Sequence, residues 1–326
     1  MLKLSIIIPV YNGATTIEEL VKQLFDSLAG TYELEVVLVN DCSPDDNSAD
    51  VCRDLTANRK DLVFLDLARN FGEHNAVMAG LNHCSGDAAV IMDDDFQNPP
   101  SDLIKLVDEL AKGYDVVYSA YTKKEHHFFR NIGSRFNGWV ASMLIGKPRE
   151  LYLSSHKAIN RFLIDEVVKY QGPYPYIDGL IFRITRNYST VTVAHSARQQ
   201  GQSGYTFKKL VSLWLNMFTN FSILPLRLAV LAGLVFSLIG LIAAGVFFVE
   251  KLTNPDMPAG WASLIITLLI VSGVQLFTIG TLGEYLGRLF LQVNGQPQFV
   301  VREKIAREKR ACEKTDRSAT HAQGGS

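Results

Sequence analysis

From Leu228 to Val249, and again from Trp261 to Gly283, the chain carries no charged side chain. Each run exceeds the ~20 residues that cross a bilayer as a helix. A helix satisfies its own backbone there, so an uncharged segment of that length can sit in lipid. No other feature narrows the possible folds so far. It predicts two transmembrane helices, at 228–249 and 261–283, within a hairpin spanning 223–284. The connection, "EKLTNPDMPAG", is short and holds one lysine. Lys208, Lys209 and Arg227 flank the first run, and Arg288, Arg302 and Lys304 follow the second. Basic residues on the outer flanks place both ends in the cytoplasm and the connecting loop outside. A helix pair buried in a soluble domain is the alternative.

The remainder of the 326 residues is long enough for one sizeable α/β domain. Net charge is −1, which gives none of the basic bias that argues for nucleic acid. Cys42, Cys52, Cys84 and Cys312 are scattered with no Cys-x-x-Cys pair, so reduced cytosolic thiols are expected. The opening "MLKLSIIIPVYNG" is too short in its apolar core for a signal peptide and breaks at Pro9. It reads as a buried strand.

Up to residue 120, short apolar runs alternate with helical patterns. Leu4–Val10, Leu34–Asn40, Leu62–Ala68, Ala88–Asp93 and Asp115–Ala120 are the expected strands. Segments such as "TTIEELVKQLFDSL" and "SDLIKLVDELAKG" between them place apolar residues at i, i+3 and i+4. Continuous apolar strands joined by helices predict a mainly parallel sheet covered on both faces. This domain is expected over 1–204. Ligands of such sheets bind beyond the C-terminal strand ends, where "PVYNG", "NDCS" and "DDDFQ" all fall. Two stretches, 126–146 and 205–222, mix aromatic and aliphatic faces with Arg and Lys, a composition suited to the membrane interface or to packing on their own domain. Residues 285–326 form a cytoplasmic C-terminal segment whose charged, then small and polar, end is expected to be mobile.

The stretch "IMDDDFQNPP" sets three carboxylates side by side at a strand end. Adjacent like charges raise one another's pKa, so something must offset the crowding. In an extended segment Asp93 and Asp95 point one way and Asp94 the other. The first two can share a divalent cation, with Gln97 adding a carbonyl oxygen; Asp94 then faces a ribose or a loop amide. Mg2+ or Mn2+ suits such a hard, incomplete ligand set. A loop ending in Asn-Pro-Pro before a helix is the plainer reading. In "PVYNG", Pro9, Tyr11 and Asn12 are placed to hold a nucleobase or simply to turn the chain. Asp41 can accept from a base N–H while Ser43 or Asp45 caps the next helix.

Taken in order, "PVYN", "VNDCSPD", "ARNFGEHNAVMAGL", "SGD", "MDDDFQNPP" and "RQQGQSGYT", followed by two spans, resemble the polyprenyl-phosphate glycosyltransferases of glycosyltransferase family 2. The resemblance runs from about residue 4 to 302. It implies a GT-A-type nucleotide-binding fold, a nucleotide-sugar donor with UDP expected, a polyprenyl phosphate acceptor and a location in the cytoplasmic membrane. It further implies that Pro9, Tyr11 and Asp41 line the nucleoside pocket, and that Asp93, Asp95 and Gln97 hold the metal on the donor diphosphate. Arg69 then lies near the donor, Arg198 and Ser203 close over phosphate, and Arg130 and Arg135 receive the lipid phosphate. Relatives often assemble through their helices, so a homo-oligomer is expected.

There are departures. Gly13 stands for the usual Glu of "PVYNE", Asn40 for the first Asp of a pair, and Gly204 where several relatives carry Lys. The stretch "ELYLSSHKAINR" lacks an Asp near Leu151; Glu150 and Asp178 are the nearest acids. A phosphate monoester is already anionic at pH 7, with a second pKa near ~6. Direct inverting displacement therefore needs no catalytic base. A processive polysaccharide synthase would require a Gln-x-x-Arg-Trp segment and further spans, which the sequence lacks. A non-catalytic sugar-nucleotide-binding scaffold is the reading from a different class.

Overall fold

The computed structural model describes residues 1–121, 147–148, 151–193, 224–253 and 260–306. The elements follow in chain order: β1 (Lys3–Val10), α1 (Ile17–Leu28), β2 (Glu33–Asn40), α2 (Ser48–Asn58), β3 (Leu62–Leu67), α3 (Glu73–His83), β4 (Ala88–Ile91), α4 (Asp102–Leu110) and β5 (Val116–Tyr121). Then come β6 (Lys157–Asn160), α5 (Arg161–Val167), α6 (Ile177–Ile184), β7 (Tyr188–Val193), α7 (Leu224–Thr253), α8 (Trp261–Val293) and β8 (Val301–Ala306).

All eight strands form one sheet in the order β7-β5-β6-β4-β1-β2-β3-β8. The central β4, β1, β2 and β3 are parallel, while β6 and β8 run against their neighbours. Pleating sends alternate residues of β1 to opposite faces. Leu4, Ile6, Ile8 and Val10 join the core under α1, α2 and α4, whereas Ile7 joins the core under α3, α5 and α6. On α1, Ile17, Leu20, Val21, Leu24 and Leu28 are buried, a stripe at i, i+3, i+4, i+7 and i+11 that faces the sheet. Each such side chain contributes roughly 1.5–3 kcal/mol by leaving water.

The register fixes the functional edge. Val10 pairs with Asn40 and Asn40 with Asp66, while Ile7 pairs with Ile91. The four loops that follow β1 to β4 therefore leave the sheet side by side.

α7 and α8 contain 30 and 33 residues and pack on each other. They are longer than the expected runs, which fall inside them. At 1.5 Å per residue they reach roughly 45 and 50 Å. Leu241 and Leu276 are 72% and 70% exposed. Side chains at several positions of both helices lie outside the described set, and among the described residues no helix is long and apolar enough to cross a membrane. After α8 the chain returns to the sheet. The segment from 285 on was expected to be separate from the 1–204 domain, yet β8 pairs antiparallel with β3, and Arg53 of α2 bridges to Glu303 at 2.9 Å. A free β3 edge would expose unpaired backbone groups; β8 covers it, so the domain draws on both ends of the sequence.

Candidate active site

The first two loops are stitched together. Asn12 is held in the left-handed region at φ 56° and donates its backbone N–H to Ser43 Oγ at 3.0 Å and its side-chain amide to Asp45 at 2.8 Å. Ser43 Oγ donates to Asn40 Oδ1 at 2.7 Å, and Asn40 Nδ2 donates to Asp66 Oδ1 at 2.7 Å. This chain explains Asn40. A carboxylate there would face Asp66 with no proton to share, whereas the amide donates to it. Gly13 N donates to Ser48 Oγ and Ala14 N to Asp46. Pro9 is half-buried at the end of β1, and Tyr11 stands 48% exposed beyond it.

Asp41 is 4% exposed, and its two oxygens accept from the backbone N–H groups of Phe71 at 2.7 Å and Gly72 at 2.8 Å. Burial pushes its pKa up against those two hydrogen bonds. Asp41 thus fixes the third loop at the entry to α3, where Gly72 adopts φ 93° and a side chain would be strained. Each oxygen holds one backbone amide, and each keeps a further lone pair with which it could accept from a base. Arg69 in that loop is exposed, its guanidinium 4.6 Å from the centre of the Phe71 ring.

The acidic loop follows β4. Asp93 accepts from Ser155 Oγ at 2.6 Å, and Asp95 Oδ1 accepts from Gln97 N at 3.1 Å. Phe96 at φ 58° bends the chain, so Gln97 is not a further step of an extended segment; its backbone folds onto Asp95. The pKa of Asp93 is pushed up to about 6, first by burial, then by the charge of Glu73, with Asp95 adding and Ser155 opposing. Asp94 turns the other way and packs on Gly13. Among the described residues no group of three His, Cys, Asp or Glu side chains closes around a metal position. The crowded pair Asp93 and Asp95 fits a cation that keeps water and substrate oxygens in its shell, as Mg2+ and Mn2+ do.

Beside Asp93 lies a buried polar cluster that the sequence did not disclose. Lys157 and Asp178 are 3% and 6% exposed. Asp178 Oδ1 accepts from both Lys157 Nζ and Tyr118 Oη. The ammonium also sits 5.3 Å from the centre of the Tyr118 ring. His74 meets Tyr176 edge-on at 5.2 Å and is pushed down to about 4, by burial first. Ser155, just before β6, donates to Asp93, and the charge of Lys157, the first residue of β6, also reaches Asp93. The one available signal was a lysine opening a short strand, "KAIN".

The sheet edge brings together Pro9, Tyr11, Asn12, Asp41, Arg69, Asp93, Asp94, Asp95 and Gln97. Arg130, Arg135, Arg198, Ser203 and Glu150 lie outside the described residues.

Comparison with known proteins extends this picture. Residues 5–168 match Glycosyl transferase family 2, and residues 224–289, covering α7 and most of α8, match the GtrB C-terminal hairpin. The chain is 32% identical over 315 residues to the undecaprenyl-phosphate 4-deoxy-4-formamido-L-arabinose transferase of Pseudomonas fluorescens (strain SBW25), covering 94% of this chain and 91% of that protein. It is 30% identical over 320 residues to the enzyme of the same name from Klebsiella pneumoniae (strain 342), covering 97% and 98%. Among solved structures, glucosyl-3-phosphoglycerate synthase from Mycobacterium tuberculosis shares the fold, with a TM-score of 0.50 and 16% identity over 68% of this chain and 79% of that one. With its mainly parallel sheet, its acidic loop after β4 and its C-terminal helix pair, the chain belongs to glycosyltransferase family 2 and is a glycosyltransferase of the branch that carries a GtrB-type hairpin.

Proposed function

We propose that the protein moves a glycosyl group from a nucleotide sugar, with UDP as the nucleotide, to a polyprenyl phosphate at the cytoplasmic face of a bacterial inner membrane, with Mg2+ or Mn2+ bound. One observation carries the reading. Asp93 and Asp95 stand at the same sheet edge as the Pro9–Asn12 loop, in a chain that continues into a pair of long helices matching the GtrB C-terminal hairpin. The relatives named for undecaprenyl phosphate support that acceptor. A lipid carrier keeps its phosphate at headgroup height, so a hairpin that crosses the bilayer would hold the catalytic edge near it. With β8 joined to the sheet, the end of α8 lies on the same side as the catalytic domain.

In this reading Tyr11, exposed at the end of β1, stacks on the base, and Asp41 keeps the third loop in place. Asp93, oriented by Ser155, and Asp95 would hold the cation, which when bound would supply positive charge against that developing on the diphosphate. Arg198 and Ser203 close over the diphosphate, while Arg130 and Arg135 grip the lipid phosphate in the bidentate manner open to guanidinium. An oxygen of that phosphate, already without a proton, bonds to the anomeric carbon as the bond from that carbon to the diphosphate breaks, with inversion. Asp178 is tied to Lys157 and Tyr118, which suits it to orient substrate rather than to remove a proton. Copies of the chain associate through the long helices.

The test uses membranes holding the protein, labelled UDP-sugars, short polyprenyl phosphate, and either Mn2+ or EDTA. Label should enter the organic phase with metal and stay in water with EDTA. No transfer from any UDP-, GDP- or CDP-sugar in the presence of metal would reject the reading.

A further inference from the structure

Asp94, the middle carboxylate, takes no part in the proposed grip on the cation. A Cβ built on Gly13 would lie 2.1 Å from Asp94 Oδ2, 3.2 Å from Asp94 Cγ and 3.2 Å from Val10 Cγ1. Atoms cannot approach to 2.1 Å without a bond, so Asp94 fills the space that any side chain at position 13 would need. Turning the carboxylate alone would move Oδ2 but leave Cγ at 3.2 Å, so the Asp94 side chain as a whole would have to shift. The backbone does not demand glycine here: Gly13 is not among the positive-φ residues, so the obstacle to a larger residue is its neighbours, Asp94 first and Val10 second.

Nor can Gly13 move away. Its N–H donates to Ser48 Oγ at 2.9 Å, and its carbonyl accepts from Thr16 N and Ile17 N, both at 3.1 Å, starting α1. On either side, Asn12 is tied to Ser43 and Asp45, and Ala14 to Asp46. Asp94 Oδ2 is shut off from solvent. Its charge is felt by Cys52, a fully buried residue of α2. The carboxylate thus points into the protein beneath the first loop, while Asp93 faces Ser155 on the other side of the sheet.

We propose that Asp94 is a positioning residue: a strut that seats the acidic loop against Gly13 and so sets the spacing between the nucleoside loop, Pro9–Asn12, and the diphosphate grip at Asp93 and Asp95. A nucleoside diphosphate has a limited reach from base to terminal phosphate, and two loops from different strands must stay within it. This rests on the proposed reading of the site as one for a nucleotide sugar. Gly13 and Asp94 then form one steric unit, each permitted by the other.

The experiment is a double-mutant cycle on the full-length protein: wild type, Gly13→Ala, Asp94→Gly and the double variant. Each is titrated with UDP in Mn2+ by calorimetry and melted without ligand. Gly13→Ala should weaken UDP binding about tenfold or more in the wild-type background, and by less than about twofold once Asp94→Gly has opened the space. Equal losses in both backgrounds would overturn the strut. Asp94→Asn, which keeps the shape, should leave the half-saturating Mn2+ concentration unchanged, whereas Asp95→Asn raises it. A rise with Asp94→Asn would make Asp94 a metal ligand and also overturn the proposal. Should wild type bind no nucleotide at all, the reading of the site fails, yet the strut is still tested. Gly13→Ala must then lower the melting temperature only where Asp94 is present, and an equal drop in both backgrounds refutes it.

Discussion

At the scale of single residues, burial rather than bare proximity decides what the acidic corner can do. Asp93 is raised to about 6 by burial first and by Glu73 second, so a nearby dication relieves charge that the fold concentrates there. Asp95→Asn removes one of the two carboxylates proposed to hold that cation. It should lower turnover by about a hundredfold or more, the scale seen when a group stabilising developing charge is lost. Helix content by circular dichroism should not change. Wild-type turnover in this variant would remove Asp95 from the site. A second residue governs acid stability. His156 is fully buried, neither ring nitrogen has a hydrogen-bond partner among the described residues, and burial depresses its pKa to about 4. A base with a depressed folded pKa is neutral in the fold and protonated in the unfolded chain. Its contribution is therefore whole above about 6.5 and is lost as pH falls toward about 4. The loss is on the order of 3 kcal/mol. Urea melts of His156→Leu should show a shallower fall than wild type between pH 6.5 and 4.

At the scale of elements, β6 is the piece that closes the site. It is four residues long, runs against β4, and carries Lys157 next to Asp178 at the start of α6. A buried ion pair adds little net stability, but removing one partner strands the other in an apolar surround. Lys157→Met should cost roughly 3–5 kcal/mol in urea unfolding. The variant Lys157→Met/Asp178→Leu should recover most of that loss, because neither member of the pair is left without its partner. If the double variant is as unstable as the single one, the pair is not the source of the penalty. Tyr118 donates to the same carboxylate oxygen, so its hydroxyl loses its acceptor in the double variant and recovery should stop short of complete.

At the scale of the whole molecule, β8 joins the helix pair to the sheet. Only residues 294–300 separate α8 from β8, and Arg302 donates to Ala68 O at 2.7 Å while Arg53 bridges to Glu303. Ending the chain at Val300 should lower the melting temperature and promote association through the exposed β3 edge. Size-exclusion chromatography in detergent detects this as a shift to larger species. A truncated protein with wild-type melting and elution would show that β8 is dispensable.

The sequence by itself determined the parallel core, the pair of long C-terminal helices and the identity of the acidic loop. Those features repeat locally: apolar runs of strand length, stripes at helical spacing, uncharged stretches and adjacent carboxylates are visible within about 20 residues of one another. Tertiary structure alone decided the rest, because it depends on side chains far apart in the chain meeting in space. Asp41 could be placed at a strand end, but only folding set both its oxygens on the amides of Phe71 and Gly72. Lys157 and Asp178 come from different elements, and nothing in the sequence signals that they meet: Asp178 reads only as one of the nearest acids, and Lys157 is not among the expected site residues. The six-residue strand β8 carried alternating charges that read as a solvated tail until β3 offered it an edge. Gly13 looked like a plain turn glycine; the carboxylate that requires it lies eighty-one positions further along. Local pattern specifies elements through the backbone's own periodicity, whereas complementary shape and charge between loops exist only once the sheet has aligned their strands.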